Sequence, residues 1–130
     1  LERLVAAEEE ALAAFVPSLS AFAGYQRTVA EFGENGVPYS GAPIGLCIPR
    51  EPVWWGAVAL RPDLVARGLA VQAERAARYA TLAGRQGVRF GYGGGDFATP
   101  RGPLVSPRAF RQLMLPALQR ISAACEAATA

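Results

Sequence analysis

The sequence contains no lysine and no histidine, and only two of its 130 residues are cysteine. All 13 basic side chains are arginines spread along the chain, with a net charge of only +2, so no basic patch indicates nucleic acid as a partner. Cys47 and Cys125 lie far apart and form no CxxC or zinc-ligand spacing, which favours a reducing compartment, the cytoplasm. Without lysine, and without the usual glycine spacing, Gly91–Gly95 does not match a phosphate-binding loop.

Long apolar runs are also missing. No run approaches the ~20 residues that a membrane span needs, and no signal peptide is visible, so we expect no membrane partner. The length is typical of one domain, and a hydrophobic content of 52% is enough for a core.

Hydrophobic periodicity predicts helices that alternate with strands in the second half of the chain. The predicted helices are Leu1–Phe15, Ser20–Phe32, Val53–Ala59, Pro62–Arg85 and a last one that Ser106 caps and Pro116 kinks. The predicted strands are Ala42–Ile48 and Gly87–Tyr92. This alternation favours an α/β fold with a parallel sheet.

One segment, GGGDFATPRGPLVSP from Gly93 to Pro107, stands between the second predicted strand and the last helix. It resembles the uroporphyrinogen decarboxylase superfamily, which includes the tetrapyrrole decarboxylase and the corrinoid-dependent methyltransferases. Three further pieces occur in the order of that superfamily: Ala42–Leu46, Trp54-Trp55 with Leu60–Leu64, and LPALQRI at Leu115–Ile121.

The resemblance implies a fold. It is an α/β, partial (β/α)8 TIM barrel, about half of a full barrel, since a complete one needs about 250 residues. Residues 1–130 would form a single partial domain, with a helical lead-in at 1–33 and the best-matched part at 41–130. We expect a piece of a longer chain that is inactive alone.

The resemblance also implies an activity, the decarboxylation of a tetrapyrrole in porphyrin biosynthesis, with a small-molecule substrate and no cofactor within this chain. A homodimer of the full-length protein is expected. Pro49 stands where the decarboxylase has a tyrosine, and the loop around Asp96 is closer to the methyltransferases. Two alternatives therefore stay open: a methyltransferase that uses zinc and a corrinoid in the full-length protein, and a non-catalytic binding module.

Four residues are candidates for the site. Asp96 is the catalytic candidate, because it follows a predicted strand in a glycine-rich loop, as active-site residues of barrels do; a turn-capping role is the alternative. Arg50 and Arg101 are candidates for binding substrate carboxylates in a bidentate manner, although surface arginines are usually solvated. Thr99, in the same loop as Asp96, is a further substrate-binding candidate.

Aromatic residues near these segments could stack on a flat macrocycle. Trp54 and Trp55 are neighbours that point about 100° apart on a helix, so at most one of them faces the site. Tyr92 is a further stacking candidate. Cys47 is expected to be a small core residue.

Overall fold

The computed structural model describes residues 1–33, 35–36, 41, 43–91, 93, 95 and 97–130. Most of these residues are helical. The elements are α1 (Glu2–Ala13), a 3-10 turn (Leu19–Phe22), α2 (Ala23–Phe32), α3 (Pro52–Leu60), α4 (Pro62–Arg85), β1 (Ala98–Thr99), β2 (Gly102–Pro103), α5 (Pro107–Ala109), a π-helical segment (Phe110–Met114) and α6 (Leu115–Thr129).

The predicted partial barrel is wrong. In the part of the chain that the structure describes, the one sheet is the antiparallel pair β1–β2, in which Ala98 lies opposite Pro103 and Thr99 opposite Gly102. Among their described residues, the two extended segments that were predicted as parallel strands, 43–48 and 87–91, contain no strand, and Gly91 alone takes part in a single bridge. Pro43 has no N–H to donate to a ladder, and Gly91 at the end of the second segment has no side chain to pack.

The first segment nevertheless lies beside Gly91 and the loop glycines 93 and 95, and the two stretches run in the same direction. A Cβ atom placed on Gly93 would lie 2.8 Å from the backbone oxygen of Ile44, and one placed on Gly95 would collide with the backbone oxygen of Leu46. Glycine is needed here because the two backbones approach too closely for any side chain.

The predicted helices are confirmed, and α4 has the predicted bounds. It begins with Pro62 in its first turn, where the missing N–H has no helical partner in any case. Arg61 donates two hydrogen bonds to Asp63 across this start, at 3.0 and 2.8 Å. The Ser20–Phe32 helix is confirmed with a 3-10 first turn.

The core lies around α4, which packs against α1, α3 and α6. Leu64, Val65 and Leu69 of α4 are almost fully buried. Burying a side chain of this kind contributes about 1.5–3 kcal/mol. None of the described helices combines the length and the hydropathy that crossing a bilayer requires.

Polar contacts attach α1 to α4. The carboxylates of Glu8 and Glu9 pair with the guanidinium groups of Arg75 and Arg67, at 2.7 and 2.6 Å. Arg78 donates hydrogen bonds to the backbone oxygens of Leu12 and Phe15, at 2.9 and 2.7 Å. These bonds tie the end of α1 and the residues that follow it to α4, and the Leu12 oxygen also accepts from the N–H of Phe15 at 3.2 Å.

The last helix begins as predicted and continues differently. Ser106 caps it by accepting a hydrogen bond from the N–H of Ala109 at 3.1 Å. A π-helical turn at Phe110–Met114 ends two residues before Pro116, and the kink predicted at this proline stays a prediction. Since Pro116 has no N–H, the wider turn changes the hydrogen-bond register where the proline would leave a carbonyl unpaired.

Candidate functional site

A cavity of about 650 Å³ lies where the first extended segment, α3, the β1–β2 hairpin and the π-helical segment meet. Pockets of 300–1,000 Å³ are typical of small-molecule sites. Its wall includes Arg50, Thr99, Trp55, Phe97 and Met114.

Arg50 reaches the cavity from the turn between the extended segment and α3. The extended segment is tied to α4, because the N–H of Cys47 donates to the side-chain oxygen of Gln72 at 3.1 Å. Pro52 starts α3 two residues after Arg50. Arg50 therefore lies between two anchored points, and this exposed residue lines the cavity.

Thr99 lies on β1, and its hydroxyl holds the hairpin turn. The hydroxyl donates to the backbone oxygen of Gly102 and accepts from the N–H of Arg101, both at 3.2 Å. Gly102 has a φ of 129°, a conformation that L side chains rarely adopt. The backbone N–H of Leu104 donates to the oxygen of Phe97 at 2.9 Å and extends the hairpin to the cavity wall.

The remaining walls are largely apolar. The rings of Phe97 and Phe110 pack edge to face, with centroids 5.7 Å apart and an interplanar angle of 75°. Met114 is 1% exposed and closes the cavity from the π-helical side.

The structure brings two of the four predicted site residues together. Arg50 and Thr99 come from distant parts of the chain and line the same cavity. Arg101 lies at the exposed tip of the hairpin and not among the lining residues. Asp96, the predicted catalytic residue, lies outside the described residues, and its role stays a prediction.

The two tryptophans point to different sides of α3, as neighbouring residues on a helix are expected to do. Trp54 is buried against Gly68, whereas Trp55 lines the cavity. Tyr92 lies outside the described residues. Cys47 was expected in the core, but it is exposed and lines the cavity, because its segment passes the cavity edge.

Sequence reasoning missed Phe97 and Met114. Phe97 directly follows Asp96, so its place in the candidate loop was a usable signal. The sequence contains no comparable signal for Met114, because apolar residues at helical spacing predict only that they are buried. Met114 lies in the π-helical turn and lines the cavity.

The described residues do not fit a metal ion, since they contain no cluster of three or more histidine, cysteine, aspartate or glutamate side chains. Zinc ligation in this part of the chain therefore receives no support. Burial raises the pKa of the Cys125 thiol, and the nearby charge of Glu126 raises it further. The raised pKa disfavours the thiolate form, which binding a metal or attacking an electrophile requires.

Comparison of the chain with family models, with curated proteins and with solved structures finds no match. The functional argument therefore depends on the cavity and on the residue pattern.

Proposed function

We propose that the cavity binds an acidic organic substrate, and that the chain serves an enzyme of the uroporphyrinogen decarboxylase superfamily acting on a tetrapyrrole. The observation that carries the proposal is that Arg50 and Thr99 line one cavity. Both were selected from the sequence as substrate-binding residues. The proposal concerns this site and does not include the barrel, which the described residues do not form.

The chemistry of the walls suits a ring that carries carboxylates. The Arg50 guanidinium can bind a carboxylate through two parallel hydrogen bonds. Trp55 and Phe97 offer flat apolar surface to a pyrrole ring. In the decarboxylation, the bond from the acetate carbon to its carboxylate breaks, CO2 leaves, and the carbon takes up a proton. Asp96 is the acidic group that the sequence predicts beside this reaction.

The cellular setting is part of the proposal. We place the enzyme in the cytoplasm, because two widely separated cysteines are typical of a reducing compartment.

Binding of uroporphyrin tests the proposal without requiring turnover. Uroporphyrin carries the acetate and propionate groups of the substrate, and its fluorescence reports binding. We expect saturable binding to the wild-type chain, and we expect Arg50→Ala to weaken it about tenfold, the equivalent of about 1.4 kcal/mol for a charge-assisted contact.

Arg27→Ala is the matched control, since Arg27 is an exposed arginine on α2 that does not line the cavity. It should bind uroporphyrin like the wild type. Equal loss in both variants would show a general charge effect, and it would contradict the assignment of the cavity. If uroporphyrin does not bind to the wild-type chain, the proposed substrate class is wrong.

A further inference from the structure

The π-helical turn Phe110–Met114 positions two apolar side chains of the cavity wall. The turn closes with a hydrogen bond from the N–H of Leu115 to the backbone oxygen of Phe110, which lies one residue further back than the partner in an α-helix. Phe110 packs against Phe97, which lines the cavity, and Met114 lines the cavity directly. A ring bound in the cavity would therefore meet side chains that this one turn holds in place.

Met114 differs from the stiffer apolar side chains of the wall. Ile48 is branched at Cβ and is restricted in its rotation about χ1, and the ring of Phe97 is held edge to face by Phe110. Methionine is unbranched and has three rotatable bonds, and its sulfur makes favourable contacts with aromatic rings. Met114 is therefore the wall residue that can adjust its shape to a ring.

The burial of Met114 limits this adjustment. Met114 is 1% exposed and belongs to the core cluster around α4, whereas Leu104, another apolar lining residue, is 39% exposed. A side chain at the rim can turn into solvent when a larger ring enters, but a buried side chain can only re-pack within the core. The size of the side chain at position 114 therefore limits the size of the ring that fits beside it.

We propose that Met114 determines which ring the cavity accepts. The preferred ligands are then aromatic carboxylic acids whose carboxylate binds Arg50 and whose ring packs against the Met114 thioether, since both residues line the same cavity. This inference rests on the proposed function, because it requires that the cavity binds an acidic organic molecule. It adds the residue that selects among such molecules by the size of their ring.

Two acids of the same chemistry and different ring size test the proposal. Pyrrole-2-carboxylate has one ring, and indole-2-carboxylate has a second ring fused to it. Isothermal titration calorimetry gives a dissociation constant for each acid. We expect Met114→Ala to change the ratio of the two constants about tenfold in favour of the indole acid, because one methylene in an apolar pocket is already worth about 10- to 200-fold. Met114→Leu, which keeps the volume, should change the ratio much less.

Leu113→Ala is the matched control. Leu113 is a buried residue of the same turn, and it is not among the described residues that line the cavity, so the variant should keep the wild-type ratio. An unchanged ratio in Met114→Ala, or an equal change in Leu113→Ala, would overturn the role of Met114 and leave the proposed function standing. If neither acid binds to the wild-type chain, the acidic ligand class is wrong, and the role of Met114 is wrong with it.

The single methionine gives a second readout that needs no substitution in the core. In the wild-type chain saturated with indole-2-carboxylate, the ε-methyl group of Met114 should show nuclear Overhauser effects to the ring protons of the ligand. If the saturated complex shows none, the ring does not pack against Met114 and the proposal is wrong, whether or not Met114→Ala folds.

Discussion

At the scale of single residues, the contact between Trp54 and Gly68 determines how α3 sits on α4. A Cβ atom on Gly68 would lie 2.6 Å and 2.9 Å from two carbon atoms of the indole ring. We expect Gly68→Ala to lower the free energy of unfolding by about 1–3 kcal/mol, because the buried ring has to move. Chemical denaturation followed by circular dichroism measures this change.

Gly24→Ala is the control for this substitution. Gly24 lies in α2, and a Cβ atom placed there would meet nothing within 4 Å. Alanine should stabilise the chain at that position by up to about 1 kcal/mol, since it loses less backbone freedom than glycine on folding. Equal destabilisation in both variants would show that the contact with Trp54 is unimportant.

Residue types predicted part of the site. Two neighbouring tryptophans on a helix were predicted to point in different directions. Trp54 lies in the core, and Trp55 lines the cavity. Arg50 follows a predicted strand, and it lines the cavity although the described residues 43–48 form no strand. The position of Arg50 along the chain was a sufficient signal, because the hydrogen bond from the N–H of Cys47 to Gln72 fixes the segment before it.

At the scale of elements, the attachment of α1 to α4 makes stability depend on pH. Arg67 donates hydrogen bonds to both carboxylate oxygens of Glu9, at 2.8 and 2.6 Å, and holds the pKa of that carboxyl below its ordinary value of 4.5. A carboxyl with a lowered pKa stabilises the fold above its unfolded pKa, and this stabilisation is lost as the pH falls through the folded pKa.

Glu9→Gln should therefore reduce the loss of stability between pH 5 and pH 3. The free energy of unfolding, measured across this range by urea titration, should fall less steeply in the variant than in the wild type. Glu10→Gln, at an exposed neighbouring position with no ion pair among the described residues, is the control and should keep the wild-type slope. Identical slopes for the wild type and Glu9→Gln would contradict a role for this pair.

The elements also show where local signals are sufficient. The Ser106 cap and Pro62 in the first turn of α4 predicted helix starts correctly, because each acts through its own backbone geometry. The π-helical turn before Pro116 could not be predicted in this form. A proline indicates that the helical hydrogen bonding is disturbed, but packing decides whether the helix bends or widens.

At the scale of the whole molecule, the sequence pattern was misleading about the sheet. Apolar runs that alternate with helices favour a parallel sheet, but Pro43 in the first run and Gly91 in the second weaken the ladder that would connect the runs. The described part of the chain instead buries its apolar surface mainly around α4. Periodicity predicted which helices form, and it did not predict that the described residues of the two runs contain no strand and only one bridge, at Gly91.

The central claim is that the cavity binds an acidic organic substrate, and the tryptophans allow one direct test. The chain has two tryptophans and one methionine, so its spectrum contains two indole N–H signals and one methionine methyl signal. Titration of isotope-labelled protein with uroporphyrin should shift the signals of Trp55 and Met114, which line the cavity, and leave that of Trp54 in place. Unchanged signals at saturating uroporphyrin, or equal shifts for both tryptophans, would contradict the claim.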